Sequence, residues 1–160
     1  MSWLGLNLTT VVIYTDGSCK RVKGEKSHGG WAAILLCNGH TTELCGATED
    51  TTNNRMELTA VIKALQSLPT RCNVFIHTDS QYLQKGILYW LASWKRRGWM
   101  NYQNEPVANK DLWQELDIEN TRHKVSYVWV RGHDGDVYNE RCDTLAVHAR
   151  KTLAQEPSHG

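Results

Sequence analysis

Residues 11–16, VVIYTD, form a short and almost continuous apolar run that ends in a carboxylate and leads into Gly-Ser. Residues 74–80, VFIHTDS, repeat this pattern, again with Thr directly before Asp. Such runs are typical of central strands that are buried on both faces. The two segments therefore predict the middle of a sheet, with Asp16 and Asp79 at the ends of two strands.

A hairpin is predicted directly after the first of these runs. Asn38-Gly39 lies between strand-like residues 30–37 and 41–47. Asn-Gly between two strands is the strongest short-range signal for a hairpin, because both residues accept a positive φ. The first three strands should therefore form an antiparallel meander.

Helical and strand-like segments follow through the rest of the chain. Residues 52–68 carry apolar side chains at helical spacing and are followed by Pro69. The remaining segments are predicted as helices at 80–86, 87–97, 109–119 and 138–153, a loop at 98–108 and a fifth strand at 125–130. Strands joined through helices are expected to run parallel, with right-handed crossovers. The sequence predicts an α/β fold in which a five-stranded mixed sheet carries helices on both faces.

Length, cysteine content and charge narrow the class of protein. The chain suits one domain spanning 1–160, with a core at about 11–153 and a flexible tail at 154–160. Residues 1–10 do not resemble a signal peptide, and no apolar stretch approaches the roughly 18 residues that span a bilayer, so we expect a cytoplasmic protein without membrane contact. The five cysteines lack metal-binding spacing and predict reduced, buried thiols. The net charge of +1 leaves only a local basic segment, WKRRGW at 94–99, as a nucleic-acid contact.

Asp16 and Asp79 should lie together if their strands are parallel neighbours. Ligands of open α/β sheets bind beyond the carboxyl ends of such strands. Two carboxylates there repel each other unless one is protonated or a cation lies between them. The alternative is that each Asp only begins a turn, which explains either residue alone better than it explains the matched pair.

A structural role is a simpler explanation than a catalytic one for three further residues, Glu57, Asp143 and His133. Glu57 lies three residues after Asn54, so the two could form a capping box, and spacing alone favours that role. Asp143, near the start of the last helix, could likewise serve the helix dipole. His133 lies in a polar loop at 131–136, where it is either solvated or able to move protons beside the acids.

Several segments are similar, in the same order, to the motifs of one known family. They are residues 14–19 (YTDGSC), 51–58 (TTNNRMEL), 78–82 (TDSQY), 94–99 (WKRRGW), 111–113 (DLW), 132–133 (GH) and 139–143 (NERCD). From about Val11 to Leu153 the chain resembles bacterial type 1 ribonuclease H, also called ribonuclease HI. The resemblance implies a ribonuclease H-like three-layer fold and a monomer without an obligate protein partner. It also implies an endonuclease that hydrolyses the RNA strand of RNA–DNA hybrids, largely independently of sequence, and leaves 5′-phosphate and 3′-hydroxyl ends.

The resemblance assigns the metal site to four carboxylates. Asp16, Glu57, Asp79 and Asp143 would hold two Mg2+ ions, with Mn2+ as an alternative, and the ions would activate the attacking water and stabilise the leaving 3′ oxygen. Mg2+ prefers carboxylate oxygens and water as ligands, which agrees with this set. His133 matches a mobile loop histidine of the family that assists proton transfer or product release.

Substrate contacts are also implied by the resemblance. Those to the RNA strand are Cys19, Asn53 and Gln81, and those to the DNA strand are Thr52, Asn54, Tyr82, Trp90 and Asn109. The basic residues Lys95, Arg96 and Arg97 would belong to a substrate-binding protrusion. Contacts to the nucleic-acid backbone position a duplex without reading its sequence.

Three stretches depart from the family pattern. Residues 20–28 form a longer and basic loop in which one RNA-contacting Asn is missing, although its Lys and Arg side chains could contact phosphates instead. Residues 100–105 of the protrusion contain no Lys or Arg, which predicts weaker binding of the hybrid. Residues 134–138 carry added negative charge and no proline, which could alter the mobility of the histidine loop.

Three other functions are compatible with parts of this pattern. A non-catalytic hybrid-binding module is disfavoured because all four carboxylates are present. Another nuclease on the same fold, such as a transposase, integrase or junction resolvase, would usually lack the histidine loop and the Trp-rich protrusion. A purely structural role would make the acids helix caps and turns.

Overall fold

The computed structural model describes residues 7–131 and 135–156, and its centre is one five-stranded mixed sheet. The strands are β1 (Thr10–Lys20), β2 (His28–Cys37), β3 (His40–Glu49), β4 (Asn73–Thr78) and β5 (Lys124–Trp129), in the spatial order β3-β2-β1-β4-β5. β1, β2 and β3 pair antiparallel, while β4 pairs parallel with both β1 and β5. The predicted mixed sheet is therefore confirmed.

The predicted hairpin is also confirmed. Cys37 pairs with His40, and the two residues between them, Asn38 and Gly39, have φ values of 50° and 80°. Positive φ at both central residues is the geometry that matches the twist of the flanking strands.

β1 is longer than predicted, and Asp16 does not end it. The parallel pairing of β1 with β4 stops at Tyr14 and His77, but the antiparallel pairing with β2 continues to Lys20 and His28. Asp16 is therefore a mid-strand residue that lies beyond the end of the parallel pair.

Helices cover both faces of the sheet, in the three layers that were predicted. The helical segments are α1 (Asn53–Gln66), α2 (Gln81–Lys85), a π-helical turn (Gly86–Trp90), α3 (Leu91–Arg96), α4 (Lys110–Arg122) and α5 (Val137–Gln155). Val11 and Ile13 of β1 pack in one core cluster with Leu58 of α1. Tyr14, on the opposite face of β1, packs in a second cluster with Cys142 of α5.

The start of α1 differs from the predicted capping box. Its N-cap is Thr52, which has extended backbone angles and whose hydroxyl accepts a hydrogen bond from the backbone N–H of Arg55 at 3.2 Å. Asn54 already lies inside the helix, so the capping role proposed for Asn54 and Glu57 is wrong. The Glu57 side chain is thereby left for another role.

The segment after β4 is one helical run rather than two separate helices. α2 continues into the π-helical turn, in which the N–H of Leu91 bonds to the carbonyl of Gly86, and then into α3. A π-helical turn accommodates one additional residue without ending a helix, and such turns are frequent at functional sites.

Two smaller expectations need correction. α4 runs to Arg122, past the predicted end at residue 119. The cysteines are free thiols, but only Cys72 and Cys142 are buried.

Within the described ranges, no helix combines the length and apolar character needed to cross a bilayer.

Candidate active site

Three carboxylates converge beyond the end of the parallel pair of β1 and β4. Asp16, Glu57 and Asp79 each contribute a carboxylate oxygen, and these three atoms lie within 4.8 Å of one another. Asp16 is 7% exposed and Glu57 is 6% exposed, while Asp79 is half-buried. An arrangement of oxygens this close, with so little water around it, is suited to a divalent cation.

A close contact between β1 and α1 brings Glu57 to this position. A Cβ atom built on Gly17 would lie 2.6 Å from the backbone nitrogen of Glu57 and 2.7 Å from the carbonyl carbon of Met56. Only a glycine next to Asp16 allows α1 to rest directly on the strand. Gly17 is therefore a packing requirement of the site and not the turn residue that the sequence offered as an alternative, because it pairs with Trp31 inside the sheet.

A similar contact on the other face of the sheet positions Asp143. A Cβ atom on Gly30 of β2 would lie 2.0 Å from the carbonyl oxygen of Ala146, so α5 also packs directly on the sheet backbone. Asp143, one helical turn before Ala146, is half-buried and close enough to Asp16 to raise its pKa through its charge and a side-chain hydrogen bond. Asp143 thus borders the three converging carboxylates, on the side of Asp16.

The electrostatics of the site strongly favour a positive ligand. Burial, followed by the charge of Asp79, raises the pKa of Asp16 to about 7, although the Gly17 N–H donates a hydrogen bond to Asp16 Oδ1 at 2.9 Å. Burial, followed by the charges of Asp16 and Asp79, raises the pKa of Glu57 well above its ordinary value. Glu57 Oε2 is buried without a hydrogen-bond partner among the described residues. A cation would supply this missing partner and offset the repulsion between the carboxylates.

A second group of predicted contact residues is connected through Arg55. The Arg55 backbone N–H donates to Thr52 Oγ1, and its guanidinium Nη1 donates to Asn109 Oδ1 at 3.2 Å. Asn109 Nδ2 in turn donates to the Tyr82 hydroxyl at 3.0 Å. The structure therefore brings Thr52, Tyr82 and Asn109 into one hydrogen-bonded network.

Arg55 was not singled out from the sequence, although it joins this network together. Its guanidinium also forms two hydrogen bonds with the Asp111 carboxylate, at 2.7 and 3.0 Å, which fix the plane of the group. Arg55 and Asp111 both lie in the segments that resemble the family motifs, and their opposite charges were the one available signal. Only the fold brings these two segments together.

The remaining predicted substrate contacts lie near the carboxylates or near the Arg55 network. Asn53, Asn54 and Gln81 are exposed in the first turns of α1 and α2. Cys19 Sγ donates to the carbonyl of Thr51 at 3.5 Å, beside the N-cap of α1. Trp90 packs against Tyr82, with ring centroids 6.2 Å apart.

The three basic residues of the predicted protrusion differ in their contacts. Lys95 pairs with Asp117 at 3.0 Å, whereas Arg96 and Arg97 are exposed. The basic loop is shorter than predicted, at residues 21–27, because Lys20 and His28 pair at the ends of β1 and β2. It is anchored by Ser27, whose hydroxyl donates to the Thr51 carbonyl at 2.6 Å and accepts from the Thr51 N–H at 2.9 Å. His133 lies outside the described residues.

Comparisons with known proteins agree with this geometry. Residues 9–151 match the model of the RNase H family. The ribonuclease H of Francisella philomiragia is 54% identical over 139 residues, which cover 87% of this chain and 90% of the relative. The ribonuclease H of Cupriavidus pinatubonensis is 51% identical over 144 residues, which cover 90% of this chain and 97% of the relative.

Solved structures show the same fold. LC9-RNase H1, described as a type 1 RNase H with the type 2 active-site motif, superposes with a TM-score of 0.80 at 33% identity, over 91% of this chain and 74% of that one. The foamy viral protease-reverse transcriptase in complex with an RNA/DNA hybrid superposes with a TM-score of 0.78 at 21% identity, over 90% of this chain and 20% of that one. At 21% identity, the second likeness concerns the fold alone.

Proposed function

Because the chain belongs to the ribonuclease H family of endoribonucleases, we propose that it hydrolyses the RNA strand of RNA–DNA hybrids at Asp16, Glu57, Asp79 and Asp143. The observation that carries this proposal is the convergence of three carboxylates, one of which, Glu57, has a buried oxygen without a hydrogen-bond partner in the described part of the chain. The foamy viral neighbour was solved in complex with an RNA/DNA hybrid, which agrees with this choice of substrate.

The four carboxylates fit a site for two divalent cations, with Mg2+ as the expected ion and Mn2+ as an alternative. Bound ions would polarise the scissile phosphate, activate the attacking water and stabilise the leaving 3′ oxygen, which yields 5′-phosphate and 3′-hydroxyl ends. The raised pKa values of Asp16 and Glu57 mean that cation binding displaces protons from this site. The hydrogen bond from the Gly17 N–H orients Asp16 Oδ1.

The surrounding residues would bind and orient the hybrid. Thr52 and Asn109, connected through Arg55, offer polar groups for a phosphate of the DNA strand, and Asn54, Tyr82 and Trp90 line the same strand. Cys19, Asn53 and Gln81 would contact the RNA strand, where the 2′-hydroxyl distinguishes RNA from DNA. Lys95, Arg96 and Arg97 would add phosphate contacts, and His133 would assist proton transfer or product release. These contacts reach backbone groups, so cleavage is expected to be largely independent of sequence.

The experiment that tests this function compares three labelled duplexes: an RNA–DNA hybrid, an RNA duplex and a DNA duplex. Each is incubated with the protein and Mg2+, and again with excess chelator. We expect cleavage of only the RNA in the hybrid, and only with the metal. Cleavage of the DNA duplex, or no cleavage with either Mg2+ or Mn2+, would refute the proposal.

Three variants test which residues belong to the site. Asp143→Asn should abolish cleavage, whereas Glu140→Gln, which removes an exposed acid from the same helix, should not. His133→Ala should slow turnover without abolishing it. Full activity of Asp143→Asn would exclude Asp143 from the site.

We also propose that residues 1–160 act as one domain and that the protein is a cytoplasmic monomer. Sedimentation analysis would test the monomer, and cell fractionation would test the location.

A further inference from the structure

An aromatic cleft lies on the protrusion, next to the proposed DNA contacts. Its volume is about 440 Å3, which is within the range of cavities that hold small organic ligands. We define the cleft by six of its lining residues: Tyr82, Tyr89, Trp90, Trp94, Arg97 and Tyr102. Five of these six side chains are aromatic, so the cleft offers flat apolar faces.

Some rings of this cleft pack on the protein core, and others are exposed to solvent. Trp94 packs against the fully buried Trp113 with ring centroids 5.4 Å apart, and Trp90 packs on Trp94 at 5.7 Å. In contrast, Tyr89 is 72% exposed and Tyr102 is 79% exposed. Clustered exposed aromatics on a protein surface commonly mark a binding site, because they cost free energy when they face water.

The charge around the cleft indicates the chemistry of its ligand. Arg97 is its one charged lining residue, and no carboxylate lines it within the described part of the chain. Arg96 lies beside it and is also exposed. An aromatic ligand attached to an anionic backbone would fit this combination of flat rings and guanidinium groups.

The cleft is continuous with the surface that we assign to the DNA strand. Tyr82 and Trp90 belong to both, and the Tyr82 hydroxyl accepts the hydrogen bond from Asn109. A DNA strand that lies on this surface would therefore continue towards Tyr89 and Tyr102. Within a duplex, every base face except the outer face of a terminal pair is covered by its stacked neighbours, so unpaired bases are the ones that can place both faces against these rings.

We propose that the aromatic cleft binds unpaired nucleobases of the DNA strand where this strand extends past the end of the RNA–DNA hybrid. The choice of the DNA strand as the ligand rests on the proposed function, whereas the affinity for nucleobases rests on the aromatic rings alone. It gives the protein a preference for hybrids that carry a single-stranded DNA extension. Stacking on the rings provides most of this binding, since residues 100–105 of the protrusion contain no Lys or Arg.

The test measures dissociation constants for three hybrids by fluorescence anisotropy, in chelator so that nothing is cut. One hybrid is blunt, one has a short single-stranded DNA extension, and one has the same extension built from abasic nucleotides, with extensions placed at either DNA end in turn. We expect the natural extension at one end to tighten binding by about tenfold, and the abasic extension to have little effect.

Variants assign this gain to the cleft. The double variant Tyr89→Ala/Tyr102→Ala should lose the gain, whereas Tyr89→Phe/Tyr102→Phe, which keeps both rings, should retain it. Leu88→Ala is the matched control, because Leu88 is an exposed apolar neighbour that does not line the cleft. An equal gain from the abasic extension would overturn the proposal, since phosphate charge would explain it.

Two other results would also overturn it. No gain at either end would show that the cleft does not bind unpaired DNA. A dimer of the wild-type protein that dissociates in the Tyr89→Ala/Tyr102→Ala variant would show that the cleft is a self-association surface. Cleavage of the blunt hybrid with Mg2+ tests the proposed function separately, so failure of one proposal is distinguishable from failure of the other.

Discussion

Gly17 and Glu57 are in direct backbone contact, since a Cβ atom on Gly17 would lie 2.6 Å from the Glu57 nitrogen. Gly17→Ala should therefore push α1 away from β1 and separate Glu57 from Asp16. We expect a loss of cleavage of roughly 100-fold or more and a destabilisation of about 1–3 kcal/mol, as for other overpacked sites. Cleavage rates and urea unfolding measure the two effects. Gly39→Asn is the control, because Asn tolerates the positive φ of that turn and nothing lies nearby; equal behaviour of the two variants would contradict the prediction.

The raised pKa of Asp16 predicts an unusual dependence of stability on pH. Its pKa is about 7 in the folded protein and near 3.8 when unfolded, so between these values the folded state binds more protons. Stability without metal should therefore fall as the pH rises through this window, by up to about 4 kcal/mol in total. Asp16→Asn should remove much of this slope and should melt at a higher temperature than the wild type at pH 8.5.

The same reasoning predicts that Mg2+ stabilises the protein most at high pH. Above the pKa of Asp16 the carboxylates are charged, so the cation need not displace a proton. Thermal melts with and without Mg2+ at pH 5.5 and pH 8.5 measure this effect. A shift of the melting temperature that is the same at both pH values, or that persists in Asp16→Asn, would count against a metal site at Asp16.

Arg55 should affect substrate binding more than the chemical step. Its guanidinium holds Asn109 at 3.2 Å and Asp111 at 2.7 Å, and Lys cannot make both contacts in this geometry. We expect Arg55→Lys to raise the KM for hybrid by roughly five- to tenfold while kcat changes little, because Thr52 and Asn109 lose their relative orientation. Arg71→Lys, an exposed Arg that bonds to carbonyls at the end of α4, is the control. A loss confined to kcat would place Arg55 in the chemistry instead.

The fold was predictable where a local pattern decides it. Asn38-Gly39 predicts the hairpin because both φ values are set within the turn, and the apolar run before Asp79 predicts β4. The true position of Asp16 within β1 was not predictable in this way. The length of β1 depends on its pairing with β2, which extends to Lys20 and His28.

The site was predictable only in part, for a related reason. Glu57 has a local explanation, the capping box, and only the real N-cap at Thr52 excludes it. Its burial and its contact with Asp16 depend on the packing of α1 on Gly17. The link between Arg55 and Asp111 joins residues 56 positions apart, so no local pattern contains it.

We expect the basic loop between β1 and β2 to contact phosphates of the hybrid. Ser27 bonds the loop to Thr51, immediately before the N-cap of α1. Lys20, at the end of β1, and Arg21 and Lys23 of the loop are all exposed. Replacing these three residues with Gln should raise the KM for hybrid several-fold and reduce the dependence of log affinity on log salt by up to about two to three units. Lys124→Gln/Lys151→Gln, which removes two exposed charges from β5 and the end of α5, is the control for net charge, with the two variants compared per charge removed. An unchanged salt dependence in the loop variant, or an equal change in the control, would show that the loop acts only through the overall charge of the protein.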